Sequence, residues 1–104
     1  MKQTSVLDVV YSQHIPRDRL IIHPNAGFDL GMMNTCHQVQ WCSGVEAKEF
    51  LLGKAVSGEE IQVNLRNDCP PAQLQVHIRH RQILGGKPKA VIFCDGNRIF
   101  IHSV

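Results

Sequence analysis

The cysteine in Trp41-Cys42-Ser43-Gly44 has the most reactive setting that the sequence offers to a nucleophile. Cys42 directly precedes a predicted helix, and the N-terminus of a helix lowers the pKa of a thiol. A thiol nucleophile also needs a histidine base, and His37 is the nearest one in sequence. The other residues that could supply the base or orient it are His23, His77, His102, Asp29 and Asp95. The alternative is that Cys42 is packed in the interior, as most free cysteines are.

A zinc site is the second chemistry that the cysteines suggest, because Cys36, His37 and Cys42 lie close together in sequence. Their spacing differs from the paired-cysteine pattern of a zinc knuckle, and no second pair follows. Cys36 and His37 are also neighbours in a predicted strand, so their side chains point to opposite faces. We therefore predict no metal site, and no motif indicates a cofactor.

The third chemistry is the binding of an anion by a basic strand. In the segment Gln73–Arg81, alternate positions are polar, and in a strand they share one face. Three of these residues, His77, Arg79 and Arg81, form the candidate anion-binding site, since a flat basic surface can contact phosphates. The alternative is an ordinary solvated strand face. Nucleic acid is a weak candidate, because the net charge is only +2 and aromatic residues make up 6% of the chain.

The carboxylates suggest no acid–base pair, because they are scattered and mostly lie at predicted turns or caps. Phosphate-binding, dinucleotide-binding, nucleophile-elbow and zincin motifs are absent from the sequence. The predicted function is therefore a non-catalytic module that binds a small ligand or regulates a partner. The alternative is a small cysteine- or histidine-dependent enzyme that uses Cys42. The compact size and the lack of motifs would also suit a small reading frame of a bacterial mobile element.

The composition indicates one globular domain spanning residues 1–104. Hydrophobic residues make up 43% of the 104 residues, which is close to the globular norm and argues against disorder. No apolar run approaches the length of a membrane span, and the N-terminal segment lacks the apolar core of a signal peptide. We therefore expect a cytoplasmic protein whose four cysteines are free thiols.

The last sixteen residues predict a β-hairpin that lies at the centre of a sheet. Two apolar runs flank Asp95-Gly96, and this pair favours a type I′ turn. Two alternating segments before it, Glu60–Arg66 and Gln73–Arg81, are predicted to form an antiparallel pair. Together these segments predict a four-stranded meander.

The first half of the chain carries weaker patterns. Ser43–Leu52 begins with a capping-box pattern, Ser43 to Glu46, and is the predicted helix. The other assignments are a strand in Ser5–Gln13, a strand in Arg19–His23 that could lie at an edge, a turn at Pro24–Gly27 and a bent strand over Phe28–Trp41. No internal repeat is apparent.

These assignments predict an α+β, mainly β fold, with a curved antiparallel sheet or a small barrel-like meander and one short helix packed on it. The C-terminal hairpin is apolar on both faces, so both faces need a cover. One cover is the predicted helix or the bent strand over Phe28–Trp41, and the other is a second copy of the chain. We therefore expect a homodimer, since a two-fold dimer is the commonest way to hide such a surface.

Overall fold

The computed structural model of the protein describes residues 2–42, 50, 52 and 58–103. About half of these residues lie in eight strands. The strands are β1 (Lys2–Gln3), β2 (Leu7–Ser12), β3 (Arg19–Ile22), β4 (Cys36–Cys42), β5 (Glu59–Leu65), β6 (Gln73–His77), β7 (Lys89–Asp95) and β8 (Arg98–Ser103). A short helix α1 (Pro24–Asp29) follows β3, and a 3₁₀ helix (Ile78–Arg81) follows β6. None of the helices in the described ranges has the length and apolarity to cross a bilayer.

Seven of the described strands close a barrel in the order β7, β2, β6, β3, β5, β4, β8 and back to β7. The short strand β1 continues the line of β2 along β7, and Thr4 joins the two by exchanging hydrogen bonds with Ile92. The interior is filled by the alternate residues of each strand, as in β5, where Ile61, Val63 and Leu65 are buried. The closed barrel confirms the predicted mainly β, barrel-like class.

The order of the strands differs from the predicted meander. The segments β5 and β6 were expected to pair with each other, but β3 lies between them, parallel to β5 and antiparallel to β6. The strand at Arg19–Ile22 is therefore central and not an edge. The connections cross over one end of the barrel, so strands that follow each other in sequence are not always neighbours. The sequence could not predict this order, because alternation within a strand carries no information about its partner.

The segment between β3 and β4 forms a helix where a turn and a bent strand were predicted. Pro24 stands at the first helical turn, where its missing N–H costs nothing, and the Nδ1 atom of His23 accepts the N–H of Asn25 at 3.0 Å. Gly31 has φ 75° just after the helix, so the change of phase near this glycine marks a helix end and not a strand bulge. The predicted helix at Ser43–Leu52 lies almost entirely outside the described residues.

The C-terminal hairpin is present, but its turn lies one residue later than predicted. Asp95 pairs with Arg98, so the two loop residues are Gly96 and Asn97. Gly96 has φ 63° and Asn97 does not have a positive φ, which is the pattern of a type II′ turn and not of type I′. The shifted turn brings Ile92 opposite Ile101 inside the barrel.

Part of the outer face of the hairpin is covered from within the chain. Phe100 points outwards from β8 and stacks on Phe50, with ring centroids 5.6 Å apart. Cys42 and the partly buried Phe93 complete this small outer cluster. On the same face Val91 is half-buried and His102 is exposed, so Phe50 of the segment between β4 and β5 covers only the part of the face around Phe100.

An internal two-fold repeat relates the two halves of the barrel, although the sequence shows no obvious repeat. The segments Leu20–Gly31 and Leu74–Gly85 lie 54 residues apart and have the same order of strand, helical turn and glycine. The parallel pairing of β2 with β6 and that of β3 with β5 follow the same register under this shift. The first half therefore consists of β2, β3, α1 and β4, and the second of β5, β6, the 3₁₀ helix and β7.

The hydrogen bonds at equivalent positions support the repeat. His77 accepts the N–H of Arg79 at 3.0 Å, just as His23 caps α1. Gly85, equivalent to Gly31, also has a positive φ, at 65°. Outside these turns, the N–H groups of Asp8 and Gln62 donate to the carbonyls of Ala72 and Asp18, both at 2.8 Å. Because β3 and β6 are antiparallel neighbours, α1 and the 3₁₀ helix lie at opposite ends of the barrel.

Candidate functional site

The candidate anion-binding residues lie together at the end of the barrel that carries the 3₁₀ helix. The strand β6 ends at His77, so Arg79 and Arg81 belong to the 3₁₀ helix and not to a strand face. The predicted polar stripe is therefore wrong beyond His77. The helical turn instead gathers the three side chains around one barrel end, and the chain reversal before β3 brings Arg17 to them. We call Arg17, His77, Arg79, His80 and Arg81 the basic cluster.

His77 is buried among positive charges. It is only 9% exposed, and burial is the main reason that its pKa is lowered from the usual 6.5. Arg17, His80 and Arg79 lower the pKa of His77 further, because a positive charge on each of them repels the charge that His77 gains on protonation. No carboxylate among the described residues contributes to this environment. The cluster therefore has an excess of positive charge with no internal counter-charge.

His80 is the member of the basic cluster that packs on the core at this end of the barrel. Its ring meets the edge of the Trp41 ring at a centroid distance of 4.9 Å, and its Nε2 atom lies 2.8 Å from the carbonyl oxygen of Arg17. Trp41 is itself a core residue with 2% exposure. His80 thus fixes the 3₁₀ helix to the core on one side and to the loop before β3 on the other.

Tyr11 anchors the strand β2 to the same end. Its hydroxyl donates to the carbonyl of Lys87 at 2.8 Å. Burial raises the pKa of Tyr11, and the nearby Arg81 partly opposes this rise. Arg81 therefore lies close enough to the barrel wall to act on Tyr11 while its guanidinium remains at the surface.

A groove of about 750 Å³ opens beside the 3₁₀ helix. The residues that line it are Ile78, Arg79, Arg81, Gln82, Gly85 and Gly86. Its volume is in the range of small-ligand sites, and its lining combines an apolar side chain with two guanidinium groups and an amide. Planar guanidinium groups bind phosphate and carboxylate oxygens in pairs, so an anionic group is the natural occupant.

Neither groove arginine has an ion-pair partner within the described ranges. The salt bridges there are Arg66 to Asp68 at 2.6 Å and Arg98 to Asp95 at 3.3 Å. Arg66 and Arg98 thus have carboxylates within reach, whereas Arg79 and Arg81, like Arg17 and Arg19, have none among the described side chains. The guanidinium donors of Arg79 and Arg81 are therefore available to an anion from solution.

The two halves of the repeat differ most at this position. The helical turn of the first half reads Pro24-Asn25-Ala26-Gly27, and its equivalent reads Ile78-Arg79-His80-Arg81. Equivalent positions are therefore built once as an α-helix whose only charged residue is Asp29, and once as a 3₁₀ helix with three basic side chains. The fold does not require the basic residues, so their presence needs another explanation.

The residues of the predicted thiol site are not brought together. Cys42 and His37 are five positions apart on the straight strand β4, so roughly 16 Å separates them along the strand. Cys42 is 1% exposed in the outer cluster, and its pKa is raised by burial, with Arg98 opposing the rise. His37 is engaged locally, since its Nε2 atom accepts the N–H of Asn34 at 3.1 Å. The geometry supplies neither an accessible thiolate nor an adjacent base.

Alkylation provides a direct test of this arrangement. We expect iodoacetamide near neutral pH to label the exposed Cys36 first, because Cys42, Cys69 and Cys94 are buried and their pKa values are raised. Peptide mapping by mass spectrometry separates the four sites, and labelling in denaturant provides the control. Faster labelling of Cys42 than of a free model thiol would contradict the structure and revive the enzymatic alternative.

The cysteines and histidines also do not converge on a metal site in the part of the chain that the structure describes. No group of three potential ligands is close enough there to hold an ion. Cys36 and His37 are adjacent on β4, and their side chains point to opposite faces as expected.

Two members of the basic cluster were not among the predicted site residues. Arg17 is 60 positions before His77 in sequence and reaches it only through the fold. His80 falls between the alternate positions of the predicted strand face, so it was not selected with His77, Arg79 and Arg81. The sequence does contain a signal for the change of path after β6. Both helical turns share a leucine, a histidine and a final leucine-glycine pair, and this shared pattern predicts a second helical turn after β6.

Comparisons with protein-family models, with curated proteins and with solved structures find no match for this chain. The functional argument therefore depends on the geometry of the basic cluster and its groove.

Proposed function

We propose that the protein is a non-catalytic module that binds a small anionic ligand in the groove beside the 3₁₀ helix. The ligand carries a phosphate or a carboxylate group, which Arg79 and Arg81 hold through charge-assisted hydrogen bonds. Ile78 offers an apolar surface to the rest of the molecule. Arg17 adds a third positive charge to the cluster, next to His77.

The observation that carries the proposal is the difference between the two halves of the repeat. A helix without basic residues is sufficient to close the barrel at the α1 end, yet the equivalent turn carries three basic residues, of which Arg79 and Arg81 line a groove. Neighbouring positive charges repel, and no described carboxylate relieves this cluster. An arrangement that costs stability and is not needed for the fold is typical of a binding site.

Sulfate binding tests the proposal, since sulfate is a small dianion that resembles a phosphate group. We expect sulfate to shift the backbone amide signals of residues 77–86 in two-dimensional NMR spectra, against a chloride background of equal ionic strength. The double variant Arg79→Ala with Arg81→Ala should weaken binding at least about tenfold, since a hydrogen bond to a charged group contributes about 1.5–3 kcal/mol.

The matched control removes two arginines that do not line the groove. Arg66→Ala with Arg98→Ala lowers the net charge by the same amount but removes only side chains that already have carboxylate partners. This variant should bind sulfate as the unmodified protein does. Equal losses in both double variants would reduce the effect to net charge, and no saturable shift at residues 77–86 would refute the proposed site.

Self-association is the second part of the proposal. The C-terminal strand offers no free edge to a second copy, because β8 is paired with β4 on one side and β7 on the other. Exposed apolar side chains remain outside the barrel, at Val6, Val10, Phe28, Met33, Leu52, Ile78 and Ile83. We propose that they support a homodimer, and sedimentation equilibrium tests it: a single species of 11.7 kDa at all concentrations would exclude it.

A further inference from the structure

His77 has a fixed protonation pattern in the folded protein. Its Nδ1 atom accepts the N–H of Arg79 at 3.0 Å, and a backbone N–H is always a donor. The neutral ring therefore carries its proton on Nε2. A second proton has to bind at Nδ1, which removes the acceptor that caps the 3₁₀ helix.

The surroundings of His77 oppose that second proton. The charged groups that act on the ring are Arg17 from the loop before β3, and Arg79 and His80 from the 3₁₀ helix. The strand β2 presents the uncharged Ser12 opposite His77, and on the side of β3 the residue next to the Leu20–Val76 pair is Arg19. An anion in the groove would place a negative charge beside Arg79, whose backbone N–H is bound to His77.

We propose that anion binding in the groove and protonation of His77 are linked, so that the protein takes up a proton when it binds its ligand and binds anions more tightly as the pH falls. The inference rests on the proposed function, because it needs an anion beside Arg79 and Arg81. Linkage makes it reciprocal: a bound anion raises the pKa of His77, and a protonated His77 strengthens anion binding by the same factor.

Protonation of His77 removes the cap of the 3₁₀ helix. Anion binding should still become tighter as the pH falls, because the 3₁₀ helix has other anchors. The N–H of Gly86 donates to the carbonyl of Arg81 at 2.8 Å, and that of Leu84 to the carbonyl of His80 at 3.1 Å. His80 packs on Trp41, and Leu84 is buried in the core. Arg79 and Arg81 therefore stay at the groove when the Arg79 N–H loses its partner. The added positive charge on His77 then makes anion binding tighter.

The lowered pKa of His77 also predicts how the stability of the ligand-free protein depends on pH. The pKa of His77 in the folded protein is below the usual 6.5, so the unfolded chain binds more protons in the interval between the two values. His77 therefore lowers the stability of the folded protein as the pH falls below about 6.5, the ordinary histidine value. A bound anion should reduce this loss, because it stabilises the protonated form.

The test is a sulfate titration by NMR near pH 5 and near pH 8, together with the pH titration of the histidine ring signals. We expect sulfate affinity to be about five- to tenfold higher near pH 5. Sulfate should also move the His77 titration to higher pH and leave that of His23 unchanged. His23 is the internal control, since it makes the same cap at a helix without basic residues.

The variant His77→Asn separates charge from structure, because asparagine can still accept the Arg79 N–H but cannot take up a proton. Its sulfate affinity should change little between pH 5 and pH 8, whereas His23→Asn should retain the full pH dependence. If sulfate binds at the groove with an affinity independent of pH, or if His77→Asn keeps the full pH dependence, the linkage is wrong and the proposed function survives. If sulfate does not bind at residues 77–86, both fail.

Discussion

Replacing Trp41 with alanine should lower the free energy of unfolding by about 3–5 kcal/mol, the largest single effect expected from this chain. Trp41 is 2% exposed, and it fills the barrel interior between its strand neighbours Glu59 and Ile99. Its ring also supports His80 at 4.9 Å, so the alanine variant leaves a cavity directly below the basic cluster. For a domain of this size, the melting temperature should fall by more than about 12 °C.

Circular dichroism during urea and thermal unfolding measures this effect without relying on tryptophan fluorescence, which the variant lacks. Trp41→Phe provides the comparison, since phenylalanine keeps an aromatic ring against His80 and leaves a smaller cavity. It should recover more than half of the lost stability, and it should bind sulfate more tightly than the alanine variant. A loss below about 1 kcal/mol for Trp41→Ala, the range of surface substitutions, would show that Trp41 is not a core residue.

The variants Leu20→Ala and Leu74→Ala should each cost about 2–5 kcal/mol, and the two losses should be similar. The leucines occupy equivalent positions in the repeat, and both are completely buried, with 0% exposure. Each faces a neighbour on the other central strand, since Leu20 pairs with Val76 and Leu74 with Ile22. Domains of this kind have a total stability of about 5–15 kcal/mol, so the double variant should be largely unfolded at room temperature.

Urea unfolding followed by the fluorescence of Trp41 measures all three variants on the same scale. Val10→Ala on the outer face of β2 is the control, because Val10 is 38% exposed and its truncation should cost less than about 0.5 kcal/mol. A large loss at Leu20 with a small one at Leu74, or the reverse, would contradict the structural equivalence of the two halves.

Local patterns in the sequence predict which residues are buried better than they predict which strands pair. The alternation of Ile61, Val63 and Leu65 identifies the buried face of β5 correctly, because a strand places successive side chains on opposite faces. One partner of β5 is β3, and in sequence α1 and β4 lie between the two strands. Parallel pairing across such a distance leaves no local trace, since it depends on how the connections cross over.

The helical turns show where local propensity fails. Pro24-Asn25-Ala26-Gly27 has the composition of a turn, and Gln73–Arg81 alternates like a strand throughout. In both places, tertiary packing determines the conformation: α1 buries Ala26 and Gly27, and the 3₁₀ helix buries His80. Arg79 and Arg81 were selected for their charge, which is visible in the sequence. Their grouping with Arg17 was not predictable, because it depends on this change of path.

The repeat has a consequence for how the chain folds. Among the described strands, β2, β3 and β4 of the first half do not pair with one another, and each takes its partners from the second half or from β8. A nascent chain that ends before β5 therefore cannot form any of its native sheet on the ribosome. Closure of the barrel has to wait until β8 has been synthesised, and the high contact order predicts slow folding, with apolar strands exposed meanwhile. The separate halves should be unfolded alone and gain structure only when mixed.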